Sequence, residues 1–557
     1  MKYTKISALV LALTMLLGLL AGCGAGTANP SAVESSGSAV QEEMSNTAAP
    51  EETEEPASVA PEKAGIQYPV GNGEVITFVT NIDGNILSMV EGQVLENFHH
   101  FKALEAATRV TFDCTALTTM DSSAMSLIFA SSDYPDIFAT APNNYTTGAS
   151  GLLEDDIILD LMPYLEEYAP DYAGHFAAAG ENYQKSVLTD DGRLGGIYSI
   201  SNPIQRAEGL ALRADWFQEL NIPAPETYDE LERTLLGMLE NHPSTMYPML
   251  FNNGYEMASL GYGFGLDFSA ASGCTIVDEQ VQYNIAAEGF RSYLEYLSRL
   301  VTSGLINTDL LLSGSDEQGV NMWTSGNVFL SYGGSDNMAQ SLLDLAEDPD
   351  FDMMALADPV VKKGCNSGLG LVVPNGQYVW SVSTQAENAE LVVSVINWFF
   401  TDEGIESCNW GTENEAFVYD AEGNKQFTDL VLNNPDGIPN WMAKFIFTSF
   451  ETPTIMPDEA VYAQFTRQAM YDAVELWPQN RSNEHTYFGN LTVEESLSIG
   501  SIVADLETTS EEYAYRFIVG ELELNDASWN AYVAALESLD IQKVIDTYQA
   551  AYNRYQA

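Results

Sequence analysis

The spacing of apolar positions predicts strands and helices that alternate along the first part of the chain. Val75–Thr80 is a run of β-branched and aromatic residues between turn-forming residues, which predicts a strand. Apolar residues at helical spacing follow over Leu87–Phe101, and Val110–Phe112 is the next strand. A short helix over Met125–Phe129 and a strand over Tyr134–Ala139 complete the pattern. Alternating strands and helices indicate a parallel sheet with helical crossovers, so the fold class is α/β.

Two loops lie directly after predicted strands of this sheet, Asn81–Asn85 and Thr140–Tyr145. In open α/β sheets, ligands bind outside the carboxyl ends of the strands. We therefore expect a ligand site at these two loops.

The same reasoning predicts elements in the rest of the chain. A helix begins within Arg213–Phe217, and Thr227 with Glu230 three residues later has the form of a capping box. Asp526 is the expected N-cap of a helix near the C-terminus. The remaining predicted elements are a helix over Phe290–Leu300, a strand over Val328–Gly334, a helix over Ala389–Phe400 and a last helix over Gln542–Tyr555.

The N-terminal segment has the pattern of a secretory signal. Lys2 and Lys5 precede an apolar stretch over Ile6–Leu20, which is shorter than the roughly 20 residues that span a bilayer. Small residues then lead to Cys23, and this arrangement resembles the bacterial lipobox, in which the cysteine thiol carries a diacylglycerol. We expect a signal peptide over residues 1–22 and a lipidated Cys23. An ordinary secretory signal with an accidental cysteine is the alternative.

Residues 23–67 have the composition of a tether. They are rich in Ala, Ser, Pro and Glu, and apolar residues are scattered among them. Such a segment buries too little apolar surface to offset the entropy lost on ordering, so we expect it to be disordered. Its like charges favour an extended spacer.

The charge of the chain excludes one class of partner. The sequence has 80 acidic and 21 basic residues, which gives a formal net charge of −59. Nucleic-acid binding requires a positive surface that displaces counterions, so nucleic acid is not an expected partner. Residues 68–557 are long enough for two or three domains with sizeable cores.

The motifs of metal, phosphate and nucleophile chemistry are missing from the sequence. It contains no phosphate loop, no HExxH and no GxSxG, and we expect no cofactor and no metal. Asp420–Asn424 fails the EF-hand pattern and predicts a hairpin turn instead. Cysteine spacing leaves both disulfides and isolated thiols open for Cys114, Cys274, Cys365 and Cys408.

Several segments, in order along the chain, resemble the bacterial extracellular solute-binding proteins, the class that includes maltose-binding protein. They are Tyr134–Phe138 with Gly151–Asp155, Ala211–Trp216 with Pro225–Glu230, Trp323–Leu330, and Thr401–Gly404. In the second of these, Tyr228 stands where the family usually has tryptophan. The C-terminal part is similar to a Gram-positive lipoprotein subgroup of ABC transporter substrate-binding proteins. The segments concerned are Asn409–Glu415, Asp420–Asn424, Phe517–Gly520 and Trp529–Tyr555.

The resemblance implies a two-lobed periplasmic-binding-protein-like fold of type II. Each lobe is expected to be a mostly parallel sheet flanked by helices, with the ligand in the cleft between the lobes. Lobe 1 would take residues 68–205 plus about 376–445, and lobe 2 residues 206–375 plus about 446–557, including a helical C-terminal region. The expected chain crossings lie near Ile200–Ala211, Leu369–Tyr378 and Asn434–Thr452.

The resemblance also implies a function. The chain would act on the outer face of the cytoplasmic membrane, bind a small polar solute such as an oligosaccharide, and deliver it to the permease subunits of an ABC importer. We expect a monomer that is held by its lipid anchor alone and is not an enzyme. With 80 acidic residues, a secreted carbohydrate-active hydrolase with paired carboxylates is an open alternative, as is a surface lipoprotein without a transport role.

Candidate ligand contacts are polar and aromatic side chains near the expected cleft, because sugars bind through stacking and hydroxyl hydrogen bonds. Asp83 follows the first strand, where it can accept hydroxyl hydrogen bonds or serve only in the turn. Asn143, Asn144 and Tyr145 lie in a loop that contacts ligand in the similar family. The remaining candidates, for whose aromatic members core packing is the alternative, are Tyr198, Tyr332, Gly333, Ser335, Asp336, Trp380, Trp410 and Glu413.

Overall fold

The computed structural model describes most of the chain after the tether. The described residues are 65–82, 87–88, 90–117, 123–201, 208–245, 248–250, 259–266, 268, 273–277, 279–307, 328–334, 350–365, 378–432, 452–456, 460–461, 464, 473, 476–477 and 490–556. The predicted signal peptide, Cys23 and all but the last residues of the tether lie outside these ranges.

Fifteen strands are present among the described residues. They are β1 Val75–Asn81, β2 Thr111–Leu117, β3 Ile137–Ala139, β4 Ile197–Tyr198, β5 Ile200–Ser201, β6 Glu208–Arg213, β7 Met249–Leu250, β8 Cys274–Val277, β9 Gln280–Tyr283, β10 Leu330–Gly334, β11 Met353–Leu356, β12 Val379–Val382, β13 Phe417–Tyr419, β14 Lys425–Phe427 and β15 Ile455–Met456.

The helices of the described part include several of only one or two turns. They are α1 His99–Thr108, α2 Ser123–Ser131, α3 Gly148–Glu154, α4 Leu165–Tyr168, α5 Pro170–Ala178, α6 Glu181–Val187, α7 Ala214–Glu219, α8 Tyr228–Asn241, α9 Glu288–Thr302, α10 Ala389–Asn397, α11 Asp402–Trp410, α12 Asp429–Leu432, α13 Val493–Ile518, α14 Asp526–Ser538 and α15 Ile541–Gln556.

The first sheet has five strands in the order β2-β1-β3-β12-β4. β1 pairs parallel with β2 and β3, whereas β12 pairs antiparallel with β3 and β4. β1–β4 therefore all run in one direction, which confirms the prediction of a mostly parallel sheet, and β12 alone runs against them. β12 comes from a distant part of the sequence. It begins at the end of the sheet where β3 terminates, as the pairing of Trp380 with Ala139 shows. A strand that enters at that end must run against its neighbours.

The second sheet has four strands in the order β11-β6-β10-β7. β6 pairs antiparallel with both β10 and β11, and β10 pairs parallel with β7. β7, β10 and β11 therefore run in one direction and β6 alone runs against them, so this sheet too is mostly parallel, as predicted. β6 enters the sheet at the edge where β10 ends, because Glu208 pairs with Gly334, and this placement fixes the antiparallel direction.

Each sheet belongs to its own hydrophobic core. The first core takes residues from β1–β4 and β12, together with helices α1, α10 and α11. The second core takes residues from β6, β10 and helices α8 and α9, and α13–α15 of the C-terminal region pack into it. The molecule therefore has two α/β lobes, because a separate core on each sheet is what defines two packed units.

Three chain segments run side by side next to the first core, against which Ile200 and Ile455 pack, and we call them the junction: Ser199–Ser201, Tyr378 and Thr454–Met456. The Ser199 amide donates to the Tyr378 carbonyl at 2.7 Å, and the Ile200 amide donates to the Thr454 carbonyl at 2.9 Å. β5 and β15 pair parallel in the same place. Each segment adjoins one of the predicted crossings.

Most predicted elements are present, with local differences in their ends. The main exception is Leu87–Phe101, where the described residues form two short 3₁₀ turns before α1 begins at His99. Gly92 and Gln93 have φ values of 77° and 54°, which interrupt a right-handed helix. Leu95 and Phe101 are nevertheless buried, so the apolar pattern correctly indicated burial without a continuous helix.

Two predicted helix starts also differ in detail. The Thr227 hydroxyl accepts from the Glu230 amide at 3.3 Å, but the Glu230 carboxylate accepts from the Glu226 amide instead of closing the box on Thr227. The N-cap of α14 is Asn525, one residue before the expected Asp526. The Asp420 turn is confirmed, since its carboxylate accepts from the amides of Glu422 and Asn424 between β13 and β14.

The cysteine alternatives are resolved for four residues. Cys114, Cys274, Cys365 and Cys408 form no disulfide bond among the described residues.

Candidate functional site

Polar groups lie at the end of the first sheet where β1 and β3 terminate, next to the junction. We call this end of the sheet its edge. β1 ends at Asn81, β3 ends at Ala139, and the next residue, Thr140, donates its amide to the Val379 carbonyl at 2.8 Å. Tyr378 of the junction directly precedes β12 at this edge. The carboxyl ends of β1 and β3 thus lie at the end of the sheet next to the junction, and ligands of open α/β sheets bind outside such strand ends.

Three side chains at this edge form a network, which we call the amide cluster: Asn81, Thr140 and Asn144. The Asn81 amide donates to Asn144 Oδ1 at 2.9 Å, and the Asn144 amide donates to the Thr140 carbonyl at 2.9 Å. The Oδ1 atom of Asn81 is buried and accepts no hydrogen bond from any described residue. A buried acceptor without a partner costs about 1–3 kcal/mol, so this atom favours a hydrogen-bond donor.

The backbone of the amide cluster is strained at one position. Thr140 has a φ of 58°, in the left-handed region that a β-branched residue rarely adopts. It begins the 3₁₀ turn Ala141–Asn144 and turns the chain sharply after β3. Strain of this kind costs of order 1–3 kcal/mol and is concentrated at ligand sites.

The neighbouring candidates Asn143 and Tyr145 have different surroundings. Asn143 is exposed on the 3₁₀ turn. The Tyr145 hydroxyl donates to the Asp155 carboxylate in a short hydrogen bond, and its ring packs edge-on against Phe129 at 5.3 Å. Burial, and next the hydrogen bond to Asp155, raise the pKa of Tyr145 to about 12. Asn144 is thus the only one of the three loop candidates within the amide cluster.

In the second sheet, the end at which β6 begins and β10 terminates is joined to the junction by a short stretch of chain. Gly333 of β10 pairs with Gly209 of β6, close to where both strands meet this end. Six residues link Ser201 of the junction to Glu208, and an extended chain of that length reaches at most about 25 Å. The start of β6 therefore lies within about 25 Å of Ser201.

The side chain of Trp477 packs over the start of β6. A Cβ on Gly209 would lie 2.5 Å from the ring of Trp477, whose indole N–H donates to the Leu210 carbonyl at 3.2 Å. Tyr332, two residues before the end of β10, is buried in the second core. Its burial contradicts the ligand contact predicted for this ring.

Trp380 lies in the centre of the first core, where no part of its side chain is exposed. Its ring contacts those of Phe78, Phe101 and Phe399, with centroids 4.8, 6.0 and 5.2 Å away. This enclosure contradicts the stacking role predicted for Trp380, because a ligand reaches the ring only if the core opens. Tyr198 is also buried in the first core, which contradicts its predicted place on the cleft surface.

Trp410 packs in a smaller core beside the β13–β14 hairpin. It is 1% exposed, and its ring lies 4.8 Å from that of Phe427, with the Lys425 ammonium 5.5 Å away. This packing contradicts the stacking platform predicted for Trp410. Glu413 is exposed in the turn before β13, on the surface of the same small core.

The remaining candidates Asp83, Ser335 and Asp336 lie outside the described residues. Asn81 and Thr140 lie in the two loops predicted to hold the ligand, Asn81–Asn85 and Thr140–Tyr145, although neither was chosen as an individual candidate. Both stand at or directly after the carboxyl end of a strand, and this position was the signal that could have singled them out. The individual candidates instead included tryptophans for their stacking capacity, without regard to their place inside a strand or helix.

Two further features bear on what this region can hold. Within the described ranges, no group of three or more His, Cys, Asp or Glu side chains is arranged to bind a metal ion. None of the helices in the described part is long and apolar enough to cross a membrane.

Solved structures with the same fold are binding proteins by their names. The alginate-binding protein AlgQ2 has a TM-score of 0.73 and 18% identity, over 87% of this chain and 99% of that chain. An extracellular solute-binding protein from Bifidobacterium longum subsp. infantis has a TM-score of 0.69 and 17% identity over the same shares. The S. pneumoniae ABC-transporter substrate binding protein FusA, in complex with fructo-nystose, has a TM-score of 0.68 and 15% identity, again over 87% and 99%.

These similarities confirm the expected two-lobed α/β fold of type II, and identities of this size show the fold alone. Among the curated proteins, none matches the chain. The model of the family described as bacterial extracellular solute-binding protein matches residues 115–406, which is more than half of the sequence. On this match, the chain belongs to the bacterial extracellular solute-binding protein family.

Proposed function

We propose that this protein captures an oligosaccharide between its two lobes and delivers it to the permease subunits of an ABC importer. The observation that carries the proposal is the amide cluster on the edge of the first sheet toward the junction, in a chain of this family. Proteins of the same fold are named for alginate binding or were solved with fructo-nystose, which supports a saccharide ligand.

The division of the chain between the lobes is part of the proposal. Lobe 1 takes residues 68–205 plus about 376–445, and lobe 2 residues 206–375 plus about 446–557. The pairing of β12 with β3 supports the first assignment, and the packing of α13–α15 in the second core supports the other. Closure on the ligand is then a hinge motion about the junction, driven by contacts that only the closed state makes with both lobes.

The ligand is a neutral saccharide in this proposal. The described part of the site offers amide and hydroxyl groups, and the buried Oδ1 of Asn81 requires a hydrogen-bond donor. The net charge of −59 creates a negative potential that opposes the approach of anions. A chain of uronate sugars would carry one charge per unit against that potential.

Membrane attachment and the absence of catalysis complete the proposed function. A diacylglycerol on Cys23 would hold the protein on the outer face of the membrane, with residues 23–67 as spacer. Delivery to a permease requires binding without bond cleavage, and in this proposal the protein is a monomeric carrier. The competing hydrolase would instead consume the sugar and release product continuously.

Calorimetric titration with short neutral oligosaccharides and with uronate oligosaccharides of equal length tests the proposal. We expect binding of a neutral sugar, a rise in melting temperature with its concentration, and no product by chromatography. Asn81→Ala should weaken binding about five- to tenfold through one lost hydrogen bond, whereas Asn553→Ala on α15 should leave the affinity unchanged. Steady release of sugar fragments would favour the hydrolase, and a preference for uronates would refute the neutral ligand.

A further inference from the structure

The two lobes meet at a second place, outside the junction. Asp190 follows α6 in the first lobe, and Arg554 lies near the end of α15 in the second. These residues are 364 positions apart in sequence, yet the Arg554 guanidinium lies 3.1 Å from the Asp190 carboxylate. We call the contacts around Arg554 with Asp190, Asn490 and Glu495 the Arg554 bracket.

The second-lobe side of the bracket holds Arg554 in place. Both terminal nitrogens of Arg554 donate to the Glu495 carboxylate at 2.7 Å, and one also donates to the Asn490 carbonyl at 3.2 Å. Glu495 closes the capping box of Thr492 at the start of α13, so the carboxylate is itself fixed. A bidentate pair with a fixed carboxylate presents Arg554 to the other lobe in one orientation.

The first-lobe side receives two further contacts. The Asn490 side-chain amide donates to the Leu188 carbonyl at 2.7 Å. The Lys185 ammonium lies 5.0 Å from the centre of the Tyr555 ring, a cation–π contact across the same boundary. Asp190 is partly desolvated there, and this burial raises the pKa of its carboxyl against the lowering effect of Arg554.

Both ends of the bracket are tied to the rigid parts of their lobes. Val187 and Leu194, on either side of Asp190, are buried in the first core, and Tyr183 of α6 donates to the Ser199 carbonyl of the junction at 3.0 Å. Val544 of α15 is buried in the second core. A relative movement of the lobes therefore moves the two ends of the bracket apart or together.

The geometry sets a limit on such movement. Rotation of one lobe about the junction displaces every atom that lies off the rotation axis. The hydrogen bonds of Arg554 would then lengthen, and hydrogen bonds weaken steeply beyond about 3.2 Å. We propose that the Arg554 bracket is a conformational restraint, which must break when the lobes rotate about the junction and so sets how often they do. This inference rests on the two-lobed fold and needs no assumption about the ligand.

Hydrogen exchange of the full-length protein, without added ligand, tests the restraint. Arg554→Ala should speed exchange of the Ile200 amide by about two- to fivefold, the effect of losing a partly exposed ion pair, because that amide donates to the Thr454 carbonyl of the other lobe in the proposed division of the chain. The matched control is Arg291→Ala, because Arg291 pairs with Asp526 at 2.8 Å and Glu295 at 3.3 Å within the second lobe alone. It should leave the Ile200 amide at its original rate.

A second variant distinguishes a restraint between the two lobes from an effect on the stability of the second lobe alone. Asp190→Asn removes the charge of the first-lobe partner and leaves the Arg554–Glu495 pair intact, so it should also speed exchange at the junction. Acceleration in Arg554→Ala and Glu495→Gln but not in Asp190→Asn would overturn the proposal, because the effect would then come from the second lobe. Equal rates in Arg554→Ala and Arg291→Ala would overturn it as well.

Discussion

Glu511 is a buried carboxyl group in the middle of α13, and its ionisation should make the protein less stable at neutral pH. Its side chain is 6% exposed, and neither carboxyl oxygen has a hydrogen-bond partner among the described residues. Burial, and next the charge of Glu507 one turn earlier, raise the pKa of Glu511 from 4.5 to about 7. Burial raises the pKa of Glu507 to about 7 as well.

The direction of the pH effect follows from these pKa values. Because the folded protein keeps this proton to a higher pH than the unfolded chain, stability falls as pH rises from 4.5 to about 7. A shift of this size corresponds to roughly 3 kcal/mol at full strength, and solvent near the helix surface reduces it to about 1–3 kcal/mol. Glu511→Gln removes the ionisation and keeps the shape of the side chain.

The test is urea unfolding of the original protein and Glu511→Gln between pH 5 and pH 8. We expect the free energies of unfolding to be similar near pH 5, and the variant to become about 1–3 kcal/mol more stable by pH 8. Glu512→Gln is the control, because Glu512 is exposed and pairs only loosely with Arg516 at 3.6 Å. A difference between the original protein and Glu511→Gln that does not change with pH would refute the reasoning.

Three substitutions test the packing around the candidate site. Trp380→Ala should lower the free energy of unfolding by about 3–5 kcal/mol, measured in urea, because it empties the centre of the first core; a loss below about 1 kcal/mol would show an open site instead. Gly209→Ala should destabilise the protein by about 1–3 kcal/mol in the same assay, since the new methyl group would lie 2.5 Å from the Trp477 ring. Tyr145→Phe should cost about 1 kcal/mol at most through the lost hydrogen bond to Asp155, and a larger drop in thermal stability would mean that the hydroxyl holds the loop together.

Local patterns were sufficient for much of the fold. The β-branched run at Val75–Thr80 became β1, and the Thr227 hydroxyl caps α8 as its spacing indicated. These features depend on neighbours within a few residues, so the sequence carries the whole interaction. Leu87–Phe101 shows where this reasoning stops, because apolar spacing reports burial, whereas the backbone of Gly92 and Gln93 decides whether a helix continues.

Candidate side chains were harder to choose, because a sequence shows the type of a residue and not what surrounds it. Trp380 and Trp410 have the chemistry of a stacking platform, but aromatic neighbours from distant segments enclose both rings. Asn81 and Asn144 are ordinary residues in sequence, and they become a candidate site because β1 and β3 place them 2.9 Å apart.

By itself, the sequence determined the α/β class and the acidic charge and predicted two ligand loops, since each of these depends on composition or on short-range spacing. Only the tertiary structure decided which strands run antiparallel, the amide cluster and the Arg554 bracket. Asp190 and Arg554 are 364 residues apart, and a contact of that range exists only after two separate cores have formed and the chain has crossed between them.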